Sequence, residues 1–99
     1  MDFEWDEDKA KANRRKHGVG FETAIAVFDD PFELTELDQF VDGEYRWKTL
    51  GRAGPWSVLV VVHVMRDPDE EVIRIISARA ANRSERNRYE RRGGKDRPI

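Results

Sequence analysis

The stretch WSVLVVVHVM, Trp56 to Met65, sets the fold class. Apart from Ser57 and His63 it is apolar at odd and even positions alike, so an extended chain would present an apolar surface on both faces. A strand of that kind belongs in the middle of a sheet. Its longest unbroken apolar run, Val58 to Val62, is far shorter than the roughly 20 residues that cross a bilayer. A central strand needs a partner on each edge, and the flanking sequence supplies candidates. Downstream, Val72 to Ala78 reads VIRIISA and is again largely apolar. Upstream, Tyr45 to Arg52 alternates Tyr45, Trp47 and Thr49 with Arg46, Lys48, Leu50 and Arg52, the period of a strand. Phe32 to Leu37 is a fourth, weaker run. The links DQFVDGE, AGP and RDPDEE are short and rich in turn formers, which favours antiparallel neighbours.

Ahead of this sheet the chain reads as a short strand and a helical hairpin. Phe3-Glu4-Trp5 alternates apolar and polar residues. Asp6 has the character of an N-cap, and Glu7 and Asp8 follow where the helix dipole favours acids. Lys9 to Lys16 continues the helix, and Gly18 is placed to stop it. Ala10, Asn13 and His17 fall on one face. Gly20 opens a second helix with an apolar stripe of Phe21, Ile25 and Phe28, and Asp29-Asp30-Pro31 ends it.

Beyond the sheet, Asn82 and Glu85 stand at capping-box spacing, and Gly93-Gly94 closes a last helix. Between Arg83 and Arg92 only Tyr89 has an apolar body. Such a helix gains little from docking and is marginal alone, so it is expected to be mobile until a partner or polyanion orders it. The architecture is therefore α+β: a short N-terminal strand and helical hairpin, an antiparallel sheet of about four strands, and a C-terminal helix. A chain of 99 residues makes one domain, read as residues 1–92, with 93–99 as a flexible tail.

Composition narrows the function. The chain has no cysteine, which excludes disulfides, zinc–thiolate sites and thiol catalysis. The N-terminus MDFEWDED is acidic and lacks the apolar core of a secretory signal, so a soluble cytoplasmic protein with no membrane association is expected. Charge is segregated along the chain. Residues 1–73 carry nine Lys/Arg and 17 Asp/Glu, a net of −8, and residues 74–99 carry nine and three, a net of +6, giving −2 in all. Between Gly20 and Tyr45 there are eight acids and no Lys or Arg. Segregation of this kind implies opposed faces, and a basic face suits a polyanion such as nucleic acid.

The chemistry open to such a chain is limited. Asp29-Asp30 and Asp67/Asp69 lie beside prolines, where turn formation accounts for them, and no spaced acidic constellation suggests a metal site. There is no Gly-x-Ser-x-Gly elbow and no phosphate-cradling glycine loop. What remains is two histidines, His17 and His63, and arginines at strand ends, Arg52 and Arg79. Each alone has a structural explanation. Together they fit one reaction. RNA supplies its own nucleophile, the 2′-hydroxyl. Cleavage then needs a base, an acid and cations to hold charge at phosphorus, with neither metal nor cofactor. Arginine's planar fork matches a phosphate, and histidine can exchange protons near neutral pH.

The motifs FEWD, KAKANRRKHGVGFETA, VFDDP, Gly51-Arg52, VVVHV and RIISARAANRSERNRYE, taken in order, resemble the BrnT family from Phe3 to about Arg91. The resemblance implies a RelE-like fold and a type II toxin that cleaves RNA. It implies a BrnA-like antitoxin with a ribbon-helix-helix region, and contact with operator DNA only through the toxin–antitoxin complex. Carried over by motif, Lys16 and His17 stand in KHG, Arg52 in GR, His63 in the valine-rich strand and Arg79 in SAR; the expected catalytic group is His17, Arg52, His63 and Arg79, and the expected RNA contacts are Lys16, Arg46, Arg74, Arg83 and Arg86. The family often has a second arginine after SAR, where this chain has Ala80, which removes one phosphate contact. Gly20 and Asn82 stand where the family commonly has Ser and Thr as helix caps. The competing reading is a non-catalytic RelE-like module that docks an antitoxin or another protein, because fold alone does not carry function.

Overall fold

The structure, a computed structural model, describes residues 1–54, 57–67, 69 and 71–94. At its centre is a five-stranded sheet. The strands are β1 (Asp2–Glu4), β2 (Leu34–Val41), β3 (Glu44–Ala53), β4 (Ser57–Asp67) and β5 (Val72–Ala80), in the order β1-β5-β4-β3-β2. The valine-rich strand is therefore the middle one, as its two apolar faces require. Strands β2 to β5 pair antiparallel in sequence order, whereas β1 pairs in parallel with β5, Phe3 opposite Ile73. The sheet is mixed and five-stranded, not the antiparallel set of about four expected. The extra edge joins segments some seventy residues apart, a pairing that no local pattern encodes. Trp56, the expected start of β4, and the 95–99 part of the expected tail lie outside the described residues.

Each face of β4 is covered. Leu59 and Val61 meet a layer formed by α1 (Glu7–His17), α2 (Phe21–Ala24) and a 3-10 segment, Ile25–Asp29. Val58 and Val60 meet Tyr89 from α3 (Arg83–Tyr89), together with Leu50 and Ala81. The 3-10 segment changes the expected stripe. With three residues per turn the inward positions become Phe21, Ala24 and Val27, while Ile25 and Phe28 are half-buried. Gly51 shows how tightly this layer sits, because a Cβ there would lie 3.0 Å from the Val27 carbonyl oxygen. The expected link DQFVDGE is mostly strand. Only Asp42 (φ 50°) and Gly43 (φ 80°) turn, as a two-residue hairpin loop with both central φ angles positive requires.

The caps of α1 agree with the sequence. Asp6 accepts hydrogen bonds from the Asp8 and Lys9 N–H groups, and Gly18 closes the helix at φ 74°. Ala10 and Asn13 face the sheet, but His17, expected on that face, is exposed. Asn13 serves as a surrogate strand. Beyond the end of β1 its amide donates to the Ala78 carbonyl at 2.9 Å and accepts from the Ala78 N–H at 3.1 Å.

The C-terminal helix overturns the expectation of weak anchoring. Asn82 and Glu85 form a complete capping box. Tyr89 is fully buried and its hydroxyl donates to Asp30. Arg88 donates through Nε and Nη2 to Glu36 at 2.8 and 3.0 Å, and Arg92 Nε donates to the Glu33 carbonyl. Polar partners over fifty residues away, the Glu36 carboxylate and the Glu33 carbonyl, replace the missing apolar stripe. Among the described residues no helix is long and apolar enough to cross a membrane.

Tyr89→Phe keeps the ring and removes only the hydroxyl, so the buried Asp30 carboxylate loses a charge-assisted bond. Urea unfolding should show a loss of about 1.5–3 kcal/mol. A smaller change than that would mean the hydroxyl is not what holds α3.

Candidate nucleic-acid interface

Alternation and strand register collect cations on the sheet face that carries α3. Val58, Val60, Val62 and Val64 point to this face. Their cross-strand neighbours are Arg52, Arg79, Lys48 and Arg74. Arg46 is two residues from Lys48 and points the same way. Arg74 and Arg79, an odd number apart, share the face because the register shift between Val62 and His63 leaves Ile76 as an extra residue in β5.

Two carboxylates organise these cations. Glu85 accepts from Arg79 Nη1 and Nη2 at 2.8 and 2.9 Å, a bidentate pair, with Lys48 Nζ at 3.5 Å. Glu36 takes Arg88 and lies 4.0 Å from Lys48 Nζ. Three cations thus share two anions, a local excess of one positive charge. The Arg79 hydrogen bonds, aided by the Asn82 N–H and Lys48, hold the Glu85 carboxyl at about 2 despite its burial. Glu85 is therefore a fixed anion at neutral pH. Arg79 spends a further Nη1 hydrogen on the Ala80 carbonyl, which leaves its Nε–H and one Nη2 hydrogen uncommitted. Arg52 lies over the Tyr89 ring, 5.7 Å from its centroid, and Arg46 keeps a buried Nε without a hydrogen-bond partner. Arg74 pairs with Glu4 at 3.1 Å.

The four residues carried over as catalytic do not converge. Arg52 and Arg79 are on this basic face. His63 is on the other, opposite Trp47, beneath the Phe28 ring at 5.1 Å. It is 6 % exposed, its Nε2 is 2.8 Å from Thr49 Oγ1, and Thr49 is 2.8 Å from Thr35 Oγ1. Burial pushes the imidazole down to about 4, so it is neutral at physiological pH. His17 and Lys16 are exposed at the end of α1, on the helical side of the sheet. Arg83 and Arg86 are exposed on α3. Sequence reasoning did not single out Lys48 or Glu36, nor Glu85 beyond its capping role. Lys48 and Glu36 could have been found as outward positions of alternating strands. The Glu85–Arg79 pair had no local signal beyond the capping spacing. Asp30, read as a turn former, instead has its oxygens taken by Phe32 N–H, Arg52 N–H and Tyr89 O–H.

His63 should leave a signature in acid. The folded imidazole takes a proton near 4, whereas in the unfolded chain it does so at about 6.5. The unfolded state holds more protons between those values, so stability falls as pH drops through that window, by about 3 kcal/mol at its lower end. In denaturation between pH 7 and 4, His63→Gln should flatten that slope; an unchanged slope would show that His63 does not titrate this way.

Comparison with known proteins gives the family and the fold. The profile of the family described as the ribonuclease toxin, BrnT, of type II toxin–antitoxin systems matches residues 5–85. The crystal structure of the Brucella abortus ribonuclease toxin, BrnT, shares the fold, with a TM-score of 0.67 and 24 % sequence identity over 84 % of this chain and 99 % of that one. No curated protein matches the sequence. With the family profile spanning most of the domain, the chain belongs to the BrnT family of ribonuclease toxins of type II toxin–antitoxin systems.

Proposed function

We propose that this chain is an endoribonuclease that cleaves RNA by attack of the substrate's own 2′-hydroxyl, without a metal ion, and so arrests growth. The observation that carries the reading is the cationic sheet face: Arg46, Lys48, Arg52, Arg74 and Arg79 projecting to one side of β3 and β5. Phosphates would lie along this face, with Arg79's uncommitted N–H groups as donors. Exposed Arg83 and Arg86 extend the positive surface for capture, whereas Lys16 is exposed on the α1 side of the sheet, away from it. Arg52 and Arg79 would stabilise the charge developing at phosphorus. Glu85 acts as a positioning residue, since a carboxylate held at about 2 between Arg79 and Lys48 is a poor proton donor and a weak base. His17 is exposed, but on the α1 side of the sheet and away from the basic face. His63 supports the sheet from within. Asp30's oxygens are occupied by donors, which favours a mechanism that does not recruit them to a metal.

The wider setting follows from the family. The fold supports a RelE-like description. The partner would be a BrnA-like ribbon-helix-helix antitoxin, and the pair, not the toxin alone, would meet operator DNA in the cytoplasm. One observation favours a second reading. The occupied fork of Arg79 is a structural lock, as a non-catalytic docking module would also have.

Purified protein should degrade single-stranded RNA in the presence of EDTA. Intact, monodisperse protein that leaves RNA whole would favour the docking module, and cleavage lost only on chelation would favour a metal mechanism. Arg52→Lys and Arg79→Lys keep charge but lose the fork, so each should lower the cleavage rate by about a hundredfold with an unchanged fold by circular dichroism. Full activity in both would place the reaction elsewhere.

A further inference from the structure

On the face covered by α1 and α2, the hairpin end of the sheet is exposed. There β2 and β3 present Leu37, Phe40, Tyr45 and Trp47, and β4 adds Met65. All but Trp47 are 46–60 % exposed. The rings form a ladder, with 4.7 Å between Phe40 and Tyr45 centroids and 6.2 Å between Tyr45 and Trp47. The ladder leads into a cleft of about 430 Å³ under Phe28 that ends on His63. Two buried polar atoms at this cleft have no hydrogen-bond partner, Glu33 Oε2 and His63 Nδ1. A contiguous apolar surface with an unsatisfied socket is the mark of a binding face.

Charge decides the occupant. Among the described residues, Glu33 is the one charged side chain lining the cleft, a carboxylate, with the N-terminal residue Met1 at its rim. Burial is the main reason its pKa is raised, and the nearby Asp30 and Asp29 add negative potential that Arg92 opposes. The hairpin tip adds exposed Asp42 and Glu44, and no Lys or Arg occurs between residues 17 and 45. An RNA backbone would be repelled here. A second copy related by a two-fold axis would set like acids against each other. A polypeptide with apolar anchors and cationic flanks meets neither objection.

We infer that this aromatic face is the docking surface for a basic amphipathic segment of the antitoxin, one apolar side chain entering the cleft beneath Phe28 and a donor from the segment reaching Glu33. The inference rests on the reading of the chain as a toxin with a protein partner. It places the antitoxin across the sheet from the basic face.

The test uses the full chain and the antitoxin from the neighbouring reading frame, purified separately, with affinity read by calorimetry. Leu37→Glu with Tyr45→Glu should weaken binding by about a hundredfold while thermal melting and RNA cleavage stay at wild-type levels. Asp42→Asn with Glu44→Gln should slow association and reduce its salt dependence. Unchanged affinity in the first pair would overturn the inference. So would a wild-type dimer in sedimentation that the pair dissolves, which would make a second copy the occupant, or a loss of RNA binding with antitoxin affinity intact. Absence of cleavage in the wild type would sink the nuclease reading alone, because the affinity measurement does not depend on it.

Discussion

The buried carboxylate of Asp30 is the joint on which the rest of the molecule depends. It stands where the helical layer ends, at the edge of β3 beyond the reach of β2. One oxygen accepts the Phe32 N–H and shapes the turn into β2. The other accepts the Arg52 N–H, standing in for a missing strand, and the Tyr89 hydroxyl. One side chain thus ties the layer on one face of the sheet to the helix on the other. A carboxylate only 6 % exposed is costly unless its lone pairs are filled, so these contacts are mutually required. Asn13 performs a lesser version of the same work at the opposite edge, where it pairs with Ala78.

The electrostatic design follows from that joint. With Tyr89 seated on Leu50, Val58 and Val60, the helix carrying it lays Glu85 over Arg79 and Lys48 and turns Arg88 toward Glu36. An acidic chain can therefore keep a cationic face. Its acids lie partly within that face, as counter-ions that fix the arginines, and partly in the 20–45 segment on and around the aromatic hairpin. If RNA lies on this face as proposed, pre-orientation of Arg79 by Glu85 lowers the entropy cost of presenting its remaining donors to a phosphate.

Much of this was legible and some was not. Trp56 to Met65 declared a central strand because both its faces are apolar, and Asp6 and Gly18 marked α1 because caps are local. The hairpin turn at Asp42-Gly43 was hidden inside a polar link that is in fact strand, since its partner residues had to be seen to reveal the pairing. The last helix was misjudged because anchoring was sought in an apolar stripe. Its anchors are one tyrosine and carboxylates from β2 and the preceding turn. The histidines and arginines were joined by chemistry, yet the sheet separates His63 from Arg52 and Arg79, because His63 points to the face beneath Phe28, and it is buried there while His17 is exposed.

By itself, the sequence determined the periodicities and caps of individual elements, the α+β class and the segregation of charge, because these depend on residues within a turn or two of one another. The tertiary structure alone decided that β1 lies parallel to β5, that Arg79 is held by Glu85, and which face each cation and aromatic ring occupies. Those outcomes depend on strand register, and a single extra residue, such as Ile76 in the β5 bulge, moves every side chain beyond it to the other face.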